Sequence, residues 1–267
     1  MYRLLHGIII VLVVGNVGFL GCTEDPEDRI DIEQLEDAIA TAASVAYAGA
    51  LAFPAMIGED ISCTTISESC ASYPCPVSLT LQVGNACPFP IGTAPDGTVD
   101  VTGELDSDTT GTLSASFESI DIDGGESVVV NVSDFDISYA SNLFTIAYSD
   151  ALVNLTQGSP YTVNASDWDV TIDTKGTLAD NSDDIITISG DRDSVVGLNV
   201  YKLQLTDVTF TPNCTRNPTA GSVVFQHGAA TYEFGFHSQC DGKLDIIGTS
   251  MMVNSPAGES MAISFSK

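Results

Sequence analysis

Between residues 115 and 210 one arrangement of apolar and polar positions recurs five times: apolar, any, apolar, two polar, apolar, any, apolar. The copies span 115–122, 130–137, 146–153, 163–170 and 203–210. Side chains on a strand alternate between its faces, so an apolar gap of three residues moves the second half of each copy to the opposite side. A β-bulge at Glu118-Ser119, Ser133-Asp134, Ser149-Asp150, Ser166-Asp167 and Thr206-Asp207 would return both halves to one face, and a bend there would carry the strand between two packed layers. The polar pairs start 15, 16, 17 and 40 residues apart. That spacing suits strands of about ten to twelve residues joined by short turns in a meander, with Ile185 to Ser189 as a further pairing segment in the last gap. The pattern predicts a mainly β fold: a large antiparallel meander of long, bulged strands, forming a curved sheet, sandwich or partial barrel. A β-solenoid with Ser-Asp at its corners is the alternative, and the drifting period counts against it.

One helix precedes the sheet. Ile32, Leu35, Ile39, Ala42, Ala46 and Ala50 recur at intervals of three and four, Ala and Gly49 dominate its second half, and Pro54 closes it. Its small side chains suit close packing on or inside the curved sheet. The β texture continues through the Thr98 to Thr112 turn cluster to Lys267 without a linker, so residues 31–54 are read as helix and 55–267 as one all-β domain.

Composition adds a compartment. Eight Lys and Arg stand against 36 Asp and Glu, for a formal charge of −28. Such a surface repels nucleic acid and anionic headgroups, which excludes nucleic acid as a partner. Met1 to Gly21 carries one early cation, Arg3, then an apolar run from Gly7 to Leu20 with the proportions of a secretory signal rather than a membrane span. The ending Phe19-Leu20-Gly21-Cys22 resembles a bacterial lipobox, although Phe19 and Leu20 depart from its usual residues. The resemblance implies a signal peptide over residues 1–21, cleavage before Cys22, and acylation of that cysteine, palmitate-type chains included. Residues 22–30 form an acidic tether. The lack of Asp directly after Cys22 implies the outer membrane by resemblance to lipoprotein sorting rules, facing the periplasm or the exterior.

Six further cysteines remain: Cys63, Cys70, Cys75, Cys87, Cys214 and Cys240. An even count in an exported chain predicts three disulfides, and parsimony pairs Cys214 with Cys240 and keeps the first four among themselves. No CxxC occurs and no histidine lies nearby, so no zinc site is predicted. The Cys, Pro and Gly pattern from Asn213 to Gly248, ending Cys240-Asp241-Gly242, resembles a terminal module of uncharacterised secreted and lipid-anchored bacterial β-proteins; this likeness covers about 35 residues and implies no activity or named enzyme family.

Catalytic signatures are lacking. His227 and His237 flank a turn near Gly228 to Ala230 that places His237 nearer Ser222 than His227. There is no Gly-x-Ser-x-Gly elbow, HExxH helix, P-loop or dinucleotide fingerprint. Nothing distinguishes two carboxylates among 36 as a hydrolytic pair. Asp134, Asp150 and Asp167 would form a like-charged ladder if stacked across neighbouring strands, which predicts local hydrogen bonding to backbone or, less directly, calcium. The turns Asp106-Ser107-Asp108 and Asp121-Ile122-Asp123-Gly124 are oxygen-rich but fail a full calcium-loop spacing. The sequence therefore predicts a non-enzymatic lipid-anchored envelope protein with a structural or binding role. It has no cofactor and no catalytic or metal-ligating residue, and it touches the membrane through Cys22. A carrier of a hydrophobic ligand, a protein-binding surface and a calcium-dependent surface module are the alternatives.

Overall fold

A computed structural model describes residues 32–56, 64–65, 70–83, 96–121, 129–154, 161–178, 180, 182–196, 199–214, 217–227, 230–240, 243–249 and 260–262. The expected leader, Cys22 and the expected tether lie outside the described residues, as do Cys63, Cys87 and the expected turns at Asp123-Gly124 and Asp241-Gly242.

Two helices, α1 (Ile32–Ala50) and α2 (Ala52–Met56), come first. Among the described residues thirteen strands follow: β1 (Thr64–Thr65), β2 (Cys75–Val83), β3 (Asp96–Ser107), β4 (Thr110–Asp121), β5 (Val129–Ala140), β6 (Leu143–Asn154), β7 (Tyr161–Asp173), β8 (Ile185–Val196), β9 (Asn199–Phe210), β10 (Ala220–His227), β11 (Ala230–Phe236), β12 (Lys243–Thr249) and β13 (Ser260–Ala262). They form one sheet in sequence order, each antiparallel to the next. Among the described residues β1 pairs with β2 alone and β13 with β12 alone, so the sheet stays open. The meander is therefore the architecture, and the solenoid alternative is excluded by antiparallel pairing of successive strands.

The face change at each polar pair is resolved in three ways. In β9 Leu203, Leu205, Val208 and Phe210 are all buried, and the extra residue sits at Thr206-Asp207, where the pairing with both β8 and β10 shifts. Asp207 adopts φ 51°, and Asp134 in β5 the same φ 51°, beside a shift that leaves Phe135, Ile137 and Tyr139 inward. Asp tolerates this left-handed conformation better than most residues. In β4 the register against β3 skips Glu118. In β7 the extra residue is Asn164, two positions before the expected pair, so Val163, Ser166 and Trp168 point inward together. In β6 the expected crease at Ser149-Asp150 is absent: Phe144, Ile146, Tyr148 and Asp150 alternate regularly inward, and the register shift falls at Val153 instead.

Helix α1 lies against the inner face. From Thr41 to Ala50 every residue is buried, on all sides of the helix. It packs against β3, β7 and β8, strands far apart in the sheet order, so the sheet curves around it. Alanine permits that enclosure because its short side chain keeps the helix thin. Gly49 makes room for the Phe135 side chain: a Cβ there would sit 2.5 Å from its ring. Pro54 does not close α1 as expected. The helix breaks at Leu51, and Pro54 is tolerated inside α2 because its missing N–H falls in that helix's first turn, where no intrahelical acceptor is due. Phe53 then packs on Tyr139 and Phe144, with ring centroids 5.3 Å away in both cases.

Two of the expected disulfides are present. Cys70–Cys75 joins the approach from α2 to the start of β2, where Cys70 N–H also donates to Met56 O at 2.9 Å. Cys214–Cys240 spans 26 residues and closes the β10–β11 hairpin. In the chain-entropy picture that loop contributes about 3.5 kcal/mol. The Cys214→Ser/Cys240→Ser double variant is accordingly expected to lose about 3 to 4 kcal/mol in urea unfolding. An unchanged midpoint would show that the hairpin is held by its ladder alone.

Candidate functional site

Hydroxyls and carboxylates on the outer face, among them Ser149, Asp167 and Asp207 of the repeated polar pairs, bond across neighbouring strands. Ser114 Oγ donates to Asp136 Oδ1 at 2.9 Å, Ser149 Oγ to Asp167 Oδ1, Ser189 Oγ to Asp207 Oδ1 at 3.2 Å and Thr80 Oγ1 to Asp100 Oδ1. Asp207 N–H in turn donates to Ser189 Oγ at 2.9 Å. The serines thus bond across strands rather than to their own backbone, and each supplies a donor to a carboxylate on its neighbour. The suspected ladder does not form: Asp134 is exposed in its bulge, Asp167 is exposed on the outer face, and Asp150 points inward. Among the described residues no three His, Cys, Asp or Glu side chains are grouped to hold a metal ion, the Asp106 and Asp108 turn included.

Polar groups also occupy the inner face, which sequence reasoning missed. Asp150, Ser166 and Arg192 stand in register on three successive strands, β6, β7 and β8, and are 5%, 1% and 4% exposed. Trp168 Nε1–H donates to Asp150 Oδ1 at 3.3 Å. Ser194, also buried, follows Arg192 on the same face. Burial pushes the Asp150 carboxyl above its ordinary range, and the Arg192 guanidinium, Ser166 and Trp168 oppose that rise. Opposite the Trp168 ring lies Gly190, whose absent side chain makes room for the indole. Tyr148, one turn of the pleat above Asp150, donates from Oη to the α1 carbonyl of Ala42 at 2.9 Å. Its phenol is held protonated by burial, with Asp150 adding to the effect.

A second inner contact joins α1 to the segment between β7 and β8. Tyr47 Oη donates to Asp184 Oδ2 at 2.7 Å, and both residues are buried. That segment is acidic and internally bonded: Thr177 Oγ1 donates to Asp183 Oδ1 at 2.7 Å, Ser182 N–H to Asp180 Oδ1 at 3.0 Å, and Lys175 pairs with Asp173.

Asp150 and Asp184 are both buried. The carboxylates of both are enclosed by the chain's own side chains, and a general acid or base must reach the proton it moves. The histidines do not meet: His227 opposes Ala230, while His237 Nε2 lies 2.8 Å from Asp245 on β12. Ser222 opposes Gly235, two residues short of the expected His237. No sequence signal could have found Asp184, because an acid before an apolar strand reads as a turn residue. The signal for Asp150 was present: it continues the alternation of Phe144, Ile146 and Tyr148 without interruption. No protein-family model, curated protein or solved structure matches this chain.

Proposed function

We propose that the protein is a non-enzymatic, lipid-anchored component of the cell envelope, tethered to the outer membrane through Cys22, whose disulfide-stapled β-domain has a structural or binding role. The observation that supports this reading best is that the concave face of the sheet is occupied by the chain's own helix. A sheet that curls around a ligand keeps a lined space for it. Here Thr41 to Ala50 fill that position, and at Gly49 there is no room for one more methyl against Phe135. The hydrophobic-carrier alternative draws no support from this packing. The outer face offers aligned hydroxyls and carboxylates as the surface left for a partner.

Anchoring is tested by growing cells with an alkyne-tagged palmitate and fractionating them. The wild-type chain is expected to carry the label and to sediment with membranes. Cys22→Ser is expected to lose the label and to move to the soluble fraction. A wild-type chain that is unlabelled and soluble would leave the ordinary secreted form standing in its place.

A further inference from the structure

We propose that Asp184 makes the buried joint between α1 and the segment between β7 and β8 a proton-operated clasp: the joint is most stable when the carboxyl is neutral and loses stability when a charge is buried there, a loss that the Tyr47 hydroxyl limits without cancelling. The geometry carries this. The bond is buried, joins residues 137 apart in the chain, and links the enclosed helix to the base of β8. Among the described residues Asp184 uses one of its oxygens: Oδ1 is buried and accepts no hydrogen bond from them. A buried charge with an unsatisfied oxygen is costly, whereas the neutral acid sheds most of that cost and still accepts from Tyr47 through its carbonyl oxygen.

The groups facing Asp184 do not offset its charge. From α1 comes Tyr47, whose phenol burial keeps protonated, with Asp184 itself adding to the effect. From the segment come Asp183 and Asp180, and from the end of β7 comes Asp173, all of one sign. Lys175 is bound to Asp173. Burial pushes the Asp184 carboxyl up to about 6; Tyr47 pulls it down, and Asp183, Asp180 and Asp173 push it further up. The sign of the linkage follows. A carboxyl raised from 3.8 to about 6 on folding binds its proton more tightly in the folded chain, so its contribution is complete below 3.8 and is lost as pH rises through 6. The joint is therefore tighter in mildly acidic surroundings than at neutral pH.

The test is thermal unfolding of the mature protein at pH 5.0 and pH 7.5 in high salt, which screens the exposed carboxylates far more than buried ones. The wild-type melting temperature is expected to be about 3 to 6 °C higher at pH 5.0, the shift that one to two kcal/mol gives a chain of this size. Asp184→Asn is expected to remove at least half of that difference, the remainder belonging to Asp150 and Asp191, whose carboxyls are also raised. Tyr47→Phe, which strips the carboxylate of the Tyr47 hydroxyl, is expected to lower the melting temperature more at pH 7.5 than at pH 5.0. Carbon NMR of the wild-type side chain supplies a readout that needs no variant: the Asp184 carboxyl is expected to titrate near pH 6. An Asp184→Asn chain with the full wild-type pH difference, or a carboxyl titrating below pH 5, overturns the clasp.

Discussion

Gly190→Ala is expected to destabilise the protein by about 4 kcal/mol and to shift its tryptophan emission, the larger part of the loss coming from collision with backbone. Gly190 holds φ 150°, a conformation rarely adopted by residues with a side chain, and a Cβ there would stand 2.2 Å from the Asp167 carbonyl oxygen and 2.7 Å from the Trp168 ring. A carbonyl in a paired strand cannot swing aside as a flexible side chain can, so β7 and β8 must separate locally. Trp168 is the only tryptophan in the chain, and its indole N–H is bonded to Asp150. Displacing the ring exposes that bond to water, which a red shift in emission would report. Urea unfolding followed by this fluorescence gives both quantities at once. A variant with wild-type midpoint and emission would mean that Trp168 does not lie over Gly190.

Arg192→Met has an effect of similar size and a different signature. Removing the guanidinium leaves Asp150 buried beside an apolar side chain, and stripping one partner from a buried charge costs about 3 to 5 kcal/mol. The carboxyl, already raised by burial, then rises further because its largest opposing influence is gone. The loss is therefore expected to be greatest at pH 7.5 and to shrink as pH falls and Asp150 takes up a proton. Asp150→Leu in the same chain removes the stranded charge and is expected to recover most of the stability, since well-packed apolar replacements of buried ionic groups are often neutral. Equal losses for the single variant at pH 5.0 and pH 7.5, with no recovery in the double, would dissociate Arg192 from Asp150.

These two positions also mark where the sequence stopped being legible. The doubled polar residues of β5 and β9 were read correctly, because apolar pairs on both sides force the backbone to insert a residue: Leu203 and Leu205 share a face with Val208 and Phe210 only if Asp207 steps out. The same rule misplaced the crease in β6. It assumed that Asp150 must avoid the core, and an acid avoids the core only when no cation waits there. Arg192 lies 42 positions further along and enters the site through two intervening strand pairings, which no local pattern encodes. For the same reason the sequence predicts β8 only from Ile185 to Ser189: Gly190 and Arg192 interrupt its apolar alternation, although the strand continues to Val196 and buries Arg192. The helix was legible in type and position, since a stretch dominated by alanine and bounded by apolar residues has little reason to face solvent. Its partner Asp184 was not, because the Tyr47 contact is a product of sheet curvature.

The order in which α1 meets its surroundings bears on how the chain reaches its native state. Consecutive strands pair with their sequence neighbours, so the sheet itself can grow by short loop closures, the fast kind. The helix is different: synthesised first, it finds Tyr148 only 106 residues later and Asp184 after 137. A helix in a protein draws most of its stability from packing, so during vectorial emergence α1 has to wait, unprotected, for the strands through β8 to follow it. Docking of this segment is not complete before β8 has emerged, and the interval before it is when a chaperone has the most to cover.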